Sequence, residues 1–338
     1  MKFGVIGSGS WGTALVKILT DAGHDVTWCV RTEKMAIHIQ NRHHNPKYLS
    51  SVYFSPDKLT LTTDPGVAYD NVESIVLAVP SAYAEGYILP YKEKVHSELT
   101  FISAVKGLLP EKNTLLNDYL QQMTGFEMKR YVTIMGPCHA EEVAAEKLSY
   151  LTFAGIDPSV TQLIASSFST PYINTIVSHD VSGVQYAAVL KNIYAMGAGI
   201  SHGLGYGDNF LSVFIANAAG EMKRFLTAIC DAKQNSPGSI SAKVNYSSSV
   251  YLGDLLVTCY SLFSRNRSFG NMIGKGYSVE SAQLAMQMIA EGMPASKSIY
   301  SINTTIAVSM PIAQTIYRIL WEGLDAAEGF QKIESSLR

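Results

Sequence analysis

The apolar run Lys2-Phe3-Gly4-Val5-Ile6 turns at once through Gly7-Ser8-Gly9-Ser10-Trp11-Gly12 into a segment that reads as helix. A G-x-G-x-x-G turn set between a strand and a helix leaves few folds open to a chain, because each glycine answers its own steric demand. Gly7 permits the tight turn, Gly9 lets the backbone approach a pyrophosphate, and Gly12 lets the helix pack close to the strand. The free N–H groups and the positive end of that helix then face the phosphates. Gly7, Gly9, Ser10, Trp11 and Gly12 are therefore the expected contacts of a dinucleotide. Glycine-rich turns are common by themselves, and it is the strand before and the helix after that give this one its meaning.

The alternation continues downstream. Residues 12–20 make the first helix, Ala22-Gly23-His24 reads as its C-terminal cap, and residues 26–30 form a second apolar strand. Further strands are expected at residues 75–79, 101–105 and 131–135, each about the length of a buried parallel strand. Pro80-Ser81, Lys106-Gly107 and Gly136-Pro137 follow them, so polar and glycine residues gather at the carboxyl ends, where an open parallel sheet holds its ligand. From about residue 180 the strands give way to long helical patterns at 184–196, 210–230, 251–263 and 278–289. The expected fold is α/β: a Rossmann-type doubly wound domain over residues 1–180, then an all-helical domain over 181–338. The glycine-rich stretches at 197–207 and 270–276 read as functional loops or tight helix contacts.

A length of 338 residues suits two such domains, each able to bury its own core. The net charge is only −2, which asks for neither nucleic acid nor an anionic membrane as partner. Cys29, Cys138, Cys230 and Cys259 lie far apart without a C-x-x-C pair, so reduced thiols in a cytoplasmic protein are expected. The glycines at 7, 9 and 12 interrupt the N-terminal apolar run, which argues for a buried strand rather than a signal peptide. No uncharged apolar stretch reaches the length of a bilayer span. His43-His44 lacks a third ligand nearby, and no metal is expected.

Cofactor choice belongs at the end of the second strand, where NAD sites place an acidic residue for the ribose hydroxyls. Here the chain reads Cys29-Val30-Arg31-Thr32, with no carboxylate before Glu33. Arg31 can pair with a 2′-phosphate or stack on adenine, which favours NADPH and leaves NADH as the alternative. A solvated loop charge is the plain reading of the same residue.

The helical half carries a string of motifs: Leu190-Lys191-Asn192, Gly197-Ala198-Gly199, Gly203-Leu204-Gly205-Tyr206-Gly207-Asp208-Asn209, Leu252-Gly253-Asp254-Leu255 and Ser264-Arg265-Asn266-Arg267-Ser268-Phe269-Gly270. Together with the N-terminal turn, and in this order, they resemble the bacterial-type NAD(P)-dependent sn-glycerol-3-phosphate dehydrogenases over nearly the whole chain. The resemblance implies a Rossmann domain followed by a helical substrate domain. It implies interconversion of dihydroxyacetone phosphate and glycerol 3-phosphate, the precursor of the phospholipid backbone. A homodimer is implied on the same ground alone.

Through that resemblance Lys191 becomes the acid or base that moves a proton at the substrate oxygen, a task a lysine performs when burial lowers its pKa. Lys106 would contact both substrate and cofactor, and Asp254 would orient Lys191 or hold a substrate hydroxyl; a helix N-cap is the simpler reading of Asp254. Ser264, Arg265 and Asn266 supply a hydroxyl, a guanidinium fork and an amide for a phosphate dianion, with Asn192 helping and Arg265 also reaching the cofactor. Gly136-Pro137-Cys138-His139-Ala140 corresponds to a loop that touches substrate through Gly136 and residue 138 and cofactor near Ala140. Cys138 replaces a hydroxyl residue there, and a thiol is a poor donor. Glu291 in Ala290-Glu291-Gly292 corresponds to a glutamate that contacts the cofactor. Leu252 before Gly253-Asp254 and the pair Ala216-Asn217 depart from the family pattern. Two other functions fit the same motifs less fully: another two-domain lysine-dependent dehydrogenase, and a non-catalytic NADPH sensor.

Overall fold

A computed structural model describes residues 1–234, 244–286 and 290–338. The chain divides into two compact units, one of Met1–Leu109 with Thr114–Val181 and one of Pro110–Asn113 with Ser182–Arg338. The first unit is built on an eight-stranded sheet of β1 (Lys2–Ile6), β2 (Asp25–Cys29), β3 (Leu59–Thr62), β4 (Ser74–Leu77), β5 (Thr100–Ser103), β6 (Tyr131–Met135), β7 (Ser149–Gly155) and β8 (Ile173–Ser178). Their order is β3-β2-β1-β4-β5-β6-β7-β8, with every pairing parallel except β6 to β7. The strand order reverses between β1 and β4, which makes the carboxyl ends of those two strands the expected ligand crevice.

Five of these strands coincide with the apolar runs, displaced by a residue or two. β4, β5 and β6 are buried along their whole length, as strands covered on both faces must be. β3, β7 and β8 carry no comparable signal. β3 is the four-residue Leu-Thr-Leu-Thr at one edge, and β8 at the other edge alternates exposed with buried or half-buried positions along most of its length.

Among the described residues no strand occurs after Ser178. The helices Val181–Gly203 and Asp208–Gln234 are the longest of the second unit. The run expected over 251–263 is broken: a π-turn at Ser249–Gly253 leads into a short helix, Asp254–Tyr260, which Ser261 ends in an extended conformation. Of the run expected over 278–289, Val279–Ala285 is helix, and residues 287–289 lie outside the described residues. The glycine-rich stretches prove to be a tight helix contact. Gly199 and Gly203 face the Arg265–Gly274 helix so closely that a Cβ on either would overlap the carbonyl oxygen of Arg267 or Asn271. Gly270 and Gly274 answer from the other side, against the carbonyls of Met196 and Ile200.

A buried carboxylate ties this unit together. Glu221, on the Asp208–Gln234 helix, accepts from the backbone N–H of Ile312 at 2.6 Å and Ala313 at 3.2 Å, and from the Tyr194 hydroxyl at 3.3 Å. It thereby caps the Pro311–Trp321 helix from outside and holds the residue one turn beyond Lys191. Burial pushes the Glu221 carboxyl up to about 7, against the opposing pull of those donors. The folded state therefore keeps a proton that the unfolded chain has already released. Stability from this group is full below about pH 4.5 and is lost as pH rises to 7. Relative to Glu221→Gln, the wild type is expected to lose roughly 2–3 kcal/mol of unfolding free energy between those pH values. Urea titrations of both proteins across pH 4.5–8 measure this, and a pH-independent difference would refute it.

Candidate active site

In the sheet unit, the residues singled out by the sequence collect at the carboxyl ends of the strands. Gly7 follows β1 with φ +126°, and a Cβ there would run into the Ala78 carbonyl that continues β4. Gly12 packs so close that its Cβ would overlap the Gly7 carbonyl, whereas a Cβ on Gly9 would meet nothing within 4 Å. Gly9 therefore faces open space at the start of the Ser10–Asp21 helix, whose first turn carries no acidic residue. An uncrowded backbone at a helix N-terminus without competing carboxylates fits a pyrophosphate.

Three side chains outside the glycine pattern hold this turn from beneath. Trp28 Nε1 donates to the Gly7 carbonyl at 2.8 Å, Asn45 Nδ2 to the Ser8 carbonyl at 3.2 Å, and Thr13 Oγ1 to the Gly9 carbonyl at 2.9 Å. All three residues are fully buried. Sequence reasoning does not single them out, since Asn45 reads only as a polar residue before Pro46 in a loop.

Arg31 stands exposed two residues past β2, and its backbone N–H donates to Ser8 Oγ at 3.2 Å. Lys106 lies three residues beyond β5 with its ammonium 4.5 Å from the centre of the Trp11 ring. Gly136 follows β6 with φ +123°. Cys138 and Ala140 are packed into the hydrophobic core beside the first helix, so Cys138 presents no open thiol. Burial pushes the thiols of Cys29 and Cys259 up to about 12. None of the four cysteines is joined in a disulfide. His44 meets His38 at 3.2 Å, but among the described residues no group of three or more His, Cys, Asp or Glu could hold a metal ion.

In the helical unit Lys191, Asn192, Asp254, Ser264 and Asn266 are all buried. Lys191 Nζ donates to Asp254 Oδ1, and Asp254 Oδ2 is a buried oxygen with no partner among the described residues. Asp254 is the first residue inside its helix, with Gly253 in the N-cap position, so its carboxylate faces Lys191 rather than its own backbone. Ser264 does cap its helix: its hydroxyl accepts from the Arg267 N–H at 3.3 Å. Arg265 follows it, exposed at the helix N-terminus. Asn266 donates from Nδ2 to Asn192 Oδ1 at 2.9 Å and accepts at Oδ1 from the Gly292 N–H at 2.9 Å. That amide joins the Lys191 helix to the segment carrying Glu291, which is half-buried at the N-cap of the Gly292–Ile306 helix. Asn217, at one of the departures from the family pattern, is tied up with the backbone of Val213 and Arg338. Leu252 falls inside the π-turn.

Residues 2–161 match the N-terminal domain of the NAD-dependent glycerol-3-phosphate dehydrogenases, and residues 180–331 match the C-terminal domain of the same family. The chain belongs to that family. As a glycerol-3-phosphate dehydrogenase family member it is an NAD(P)-dependent oxidoreductase with a Rossmann-type nucleotide-binding domain. It is 33% identical to the glycerol-3-phosphate dehydrogenase [NAD(P)+] of Corynebacterium glutamicum strain R over 317 residues, covering 93% of this chain and 92% of the relative. The Lactococcus lactis subsp. cremoris enzyme of the same name is also 33% identical, covering 98% of this chain and 94% of its own. Among solved structures, the glycerol-3-phosphate dehydrogenase of Coxiella burnetii superposes with a TM-score of 0.88 at 27% identity, covering 98% of both chains. No helix among the described residues is long and apolar enough to cross a membrane.

Proposed function

We propose that this chain reduces dihydroxyacetone phosphate to sn-glycerol 3-phosphate and catalyses the reverse reaction, with Lys191 moving the proton. The observation that carries the reading is the buried Lys191–Asp254 pair, whose second carboxylate oxygen is left for a ligand. The Asn192–Asn266 bond sets this pair beside the N-terminus of the Arg265–Gly274 helix. A buried ammonium held at a fixed point, next to a helix end that favours anions, suits a phosphorylated ketone.

When bound, the reduced nicotinamide supplies the hydride that the carbonyl carbon of the substrate accepts. Lys191 donates its proton to the oxygen on that carbon as negative charge develops there, and as the neutral amine takes it back in the reverse direction. Asp254 Oδ1 holds the ammonium in place, while Oδ2 accepts a hydrogen bond from a substrate hydroxyl. Arg265, Asn192 and Asn266, at the N-terminal end of the helix that Ser264 caps, hold the phosphate. Anchoring the unreactive phosphate fixes the carbonyl, so binding energy is converted into orientation. Lys106 reaches substrate and cofactor from its place over Trp11, and the loop of Gly136, Cys138 and Ala140 contributes through its backbone.

Gly7, Gly9, Ser10, Trp11 and Gly12 would hold the pyrophosphate and Arg31 the 2′-phosphate of NADPH, with Glu291 and Arg265 as further cofactor contacts. Supply of glycerol 3-phosphate for phospholipid synthesis, residence in the cytoplasm and a homodimeric state belong to the same reading.

The test is oxidation of NADPH, and separately of NADH, with dihydroxyacetone phosphate and with unphosphorylated dihydroxyacetone. Turnover that requires the phosphate, and is faster with NADPH, is expected. Binding of cofactor without oxidation by any small phosphate would instead point to a sensor, and turnover of a different small phosphate, such as a sugar-phosphate acid, would point to another lysine-dependent dehydrogenase.

A further inference from the structure

We infer that Asn45 and Trp28 are positioning residues that preset the phosphate-binding face of the glycine turn; this rests on the reading of that turn as the dinucleotide site. In a trans peptide the carbonyl of one residue and the N–H of the next point in opposite directions. Fixing the carbonyls of Gly7, Ser8 and Gly9 therefore fixes the N–H groups of Ser8, Gly9 and Ser10. Each of those carbonyls is held by a fully buried side chain: Trp28, Asn45 and Thr13 respectively. The three N–H groups are consequently turned away from the interior, and none donates to a backbone acceptor of the protein among the described residues.

Asn45 is the hub of this arrangement. Its amide nitrogen donates to the Ser8 carbonyl at 3.2 Å and to Thr13 Oγ1 at 2.9 Å, and that hydroxyl in turn donates a hydrogen bond to the Gly9 carbonyl. Its amide oxygen accepts from the N–H groups of Lys47 and Tyr48 at 3.0 and 3.2 Å. Both hydrogens and both lone pairs are thus used inside a fully buried pocket. The donors can face the turn only in one orientation of the amide, because the oxygen is already committed to its own loop. Trp28 is equally fixed: its ring packs on Phe54 at 5.3 Å between centroids, which aims Nε1 at Gly7. A turn held at three successive carbonyls loses little freedom when a pyrophosphate arrives, which is how pre-organisation raises affinity.

Asn45→Asp inverts the relay with almost no change in shape. A carboxylate still accepts from Lys47 and Tyr48 but has no hydrogen for Ser8, and it draws the Thr13 proton away from Gly9. Trp28→Phe removes only the donor to Gly7 and keeps an aromatic ring on Phe54. Fluorescence titration with NADPH is expected to show a dissociation constant raised about tenfold or more in Asn45→Asp and several-fold in Trp28→Phe. Competition by ADP-ribose should weaken in parallel, whereas adenosine 2′-phosphate, which lacks the pyrophosphate, should bind as in the wild type. In turnover the KM for the dinucleotide should move more than kcat.

Unchanged NADPH affinity in folded Trp28→Phe would overturn the inference, as would equal losses for NADPH and adenosine 2′-phosphate, which would make these residues supports of the domain at large. If the wild type binds no dinucleotide, the proposed function itself fails and this inference falls with it. Should Asn45→Asp not fold, Trp28→Phe alone decides.

Discussion

Lys191→Met is expected to lower kcat by about a thousandfold while the dissociation constant for NADPH stays near that of the wild type, because a positioned general acid or base contributes on the order of 10²–10⁴. The substitution has a second effect that must be separated from the first. Lys191 is paired with Asp254, and both side chains are almost completely excluded from solvent. Removing the ammonium leaves a buried carboxylate without its counter-charge, which costs about 3–5 kcal/mol where a buried pair is broken on one side. Loss of activity through partial unfolding would then look like loss of an acid. Lys191→Met combined with Asp254→Asn removes the stranded charge and should recover most of the stability, measured by thermal unfolding, while turnover stays low. Asp254→Asn alone keeps the lysine but turns one oxygen into a donor facing the substrate hydroxyl, so it should impair substrate binding as well as rate. Near wild-type turnover by a folded Lys191→Met protein would remove Lys191 from the mechanism.

How much of this arrangement can be read from the sequence depends on how local each contact is. The glycine turn is legible because Gly7, Gly9 and Gly12 work within one strand–turn–helix unit, and a Cβ on Gly7 or Gly12 meets backbone immediately. The buried strands β4, β5 and β6 are legible as continuous apolar runs, whereas β3 and β8 border the sheet, where half-exposed positions dilute the pattern. Asn45 is invisible by the same logic, because its partner Thr13 lies 32 residues away and nothing in His44-Asn45-Pro46 announces a relay. Lys191 and Asp254 are 63 residues apart, and only the resemblance to a family brought them together before the fold did. The helix expected across 251–263 failed for a different reason. Its apolar spacing is sound, but the π-turn at Ser249–Gly253 precedes Asp254, which stands as the first residue of the helix that follows. Ser264 reads from the sequence as a phosphate ligand, and in the fold its hydroxyl is engaged as the cap of the Arg265–Gly274 helix.

The same alanine substitution at two helical glycines should change stability in opposite directions. In an exposed helix glycine costs about 0.8–1 kcal/mol relative to alanine, so Gly→Ala stabilises wherever a methyl group has room. Gly220 has that room: the nearest heavy atom to its added Cβ would be the end of the flexible Arg224 side chain at 3.4 Å. Gly220→Ala is expected to raise stability by up to about 1 kcal/mol. Gly270→Ala meets the backbone of Met196 and Ile200 instead. A carbonyl in another helix cannot rotate aside, so the two helices must separate, and the contacts of Gly199, Gly203 and Gly274 along the same crossing are lost with it. Overpacking costs 1–3 kcal/mol where side chains can adjust. Against rigid backbone on both sides, the expected loss for Gly270→Ala is about 3 kcal/mol or more. Its consequence reaches the chemistry, because Asn266 lies one turn before Gly270 on the helix being displaced and holds Asn192 at 2.9 Å. Gly270→Ala should therefore raise the KM for dihydroxyacetone phosphate in whatever fraction remains folded, while Gly220→Ala leaves it alone. Equal melting temperatures for the two variants would show that the helices have slack at this crossing, and the placement of Asn266 would then need another cause.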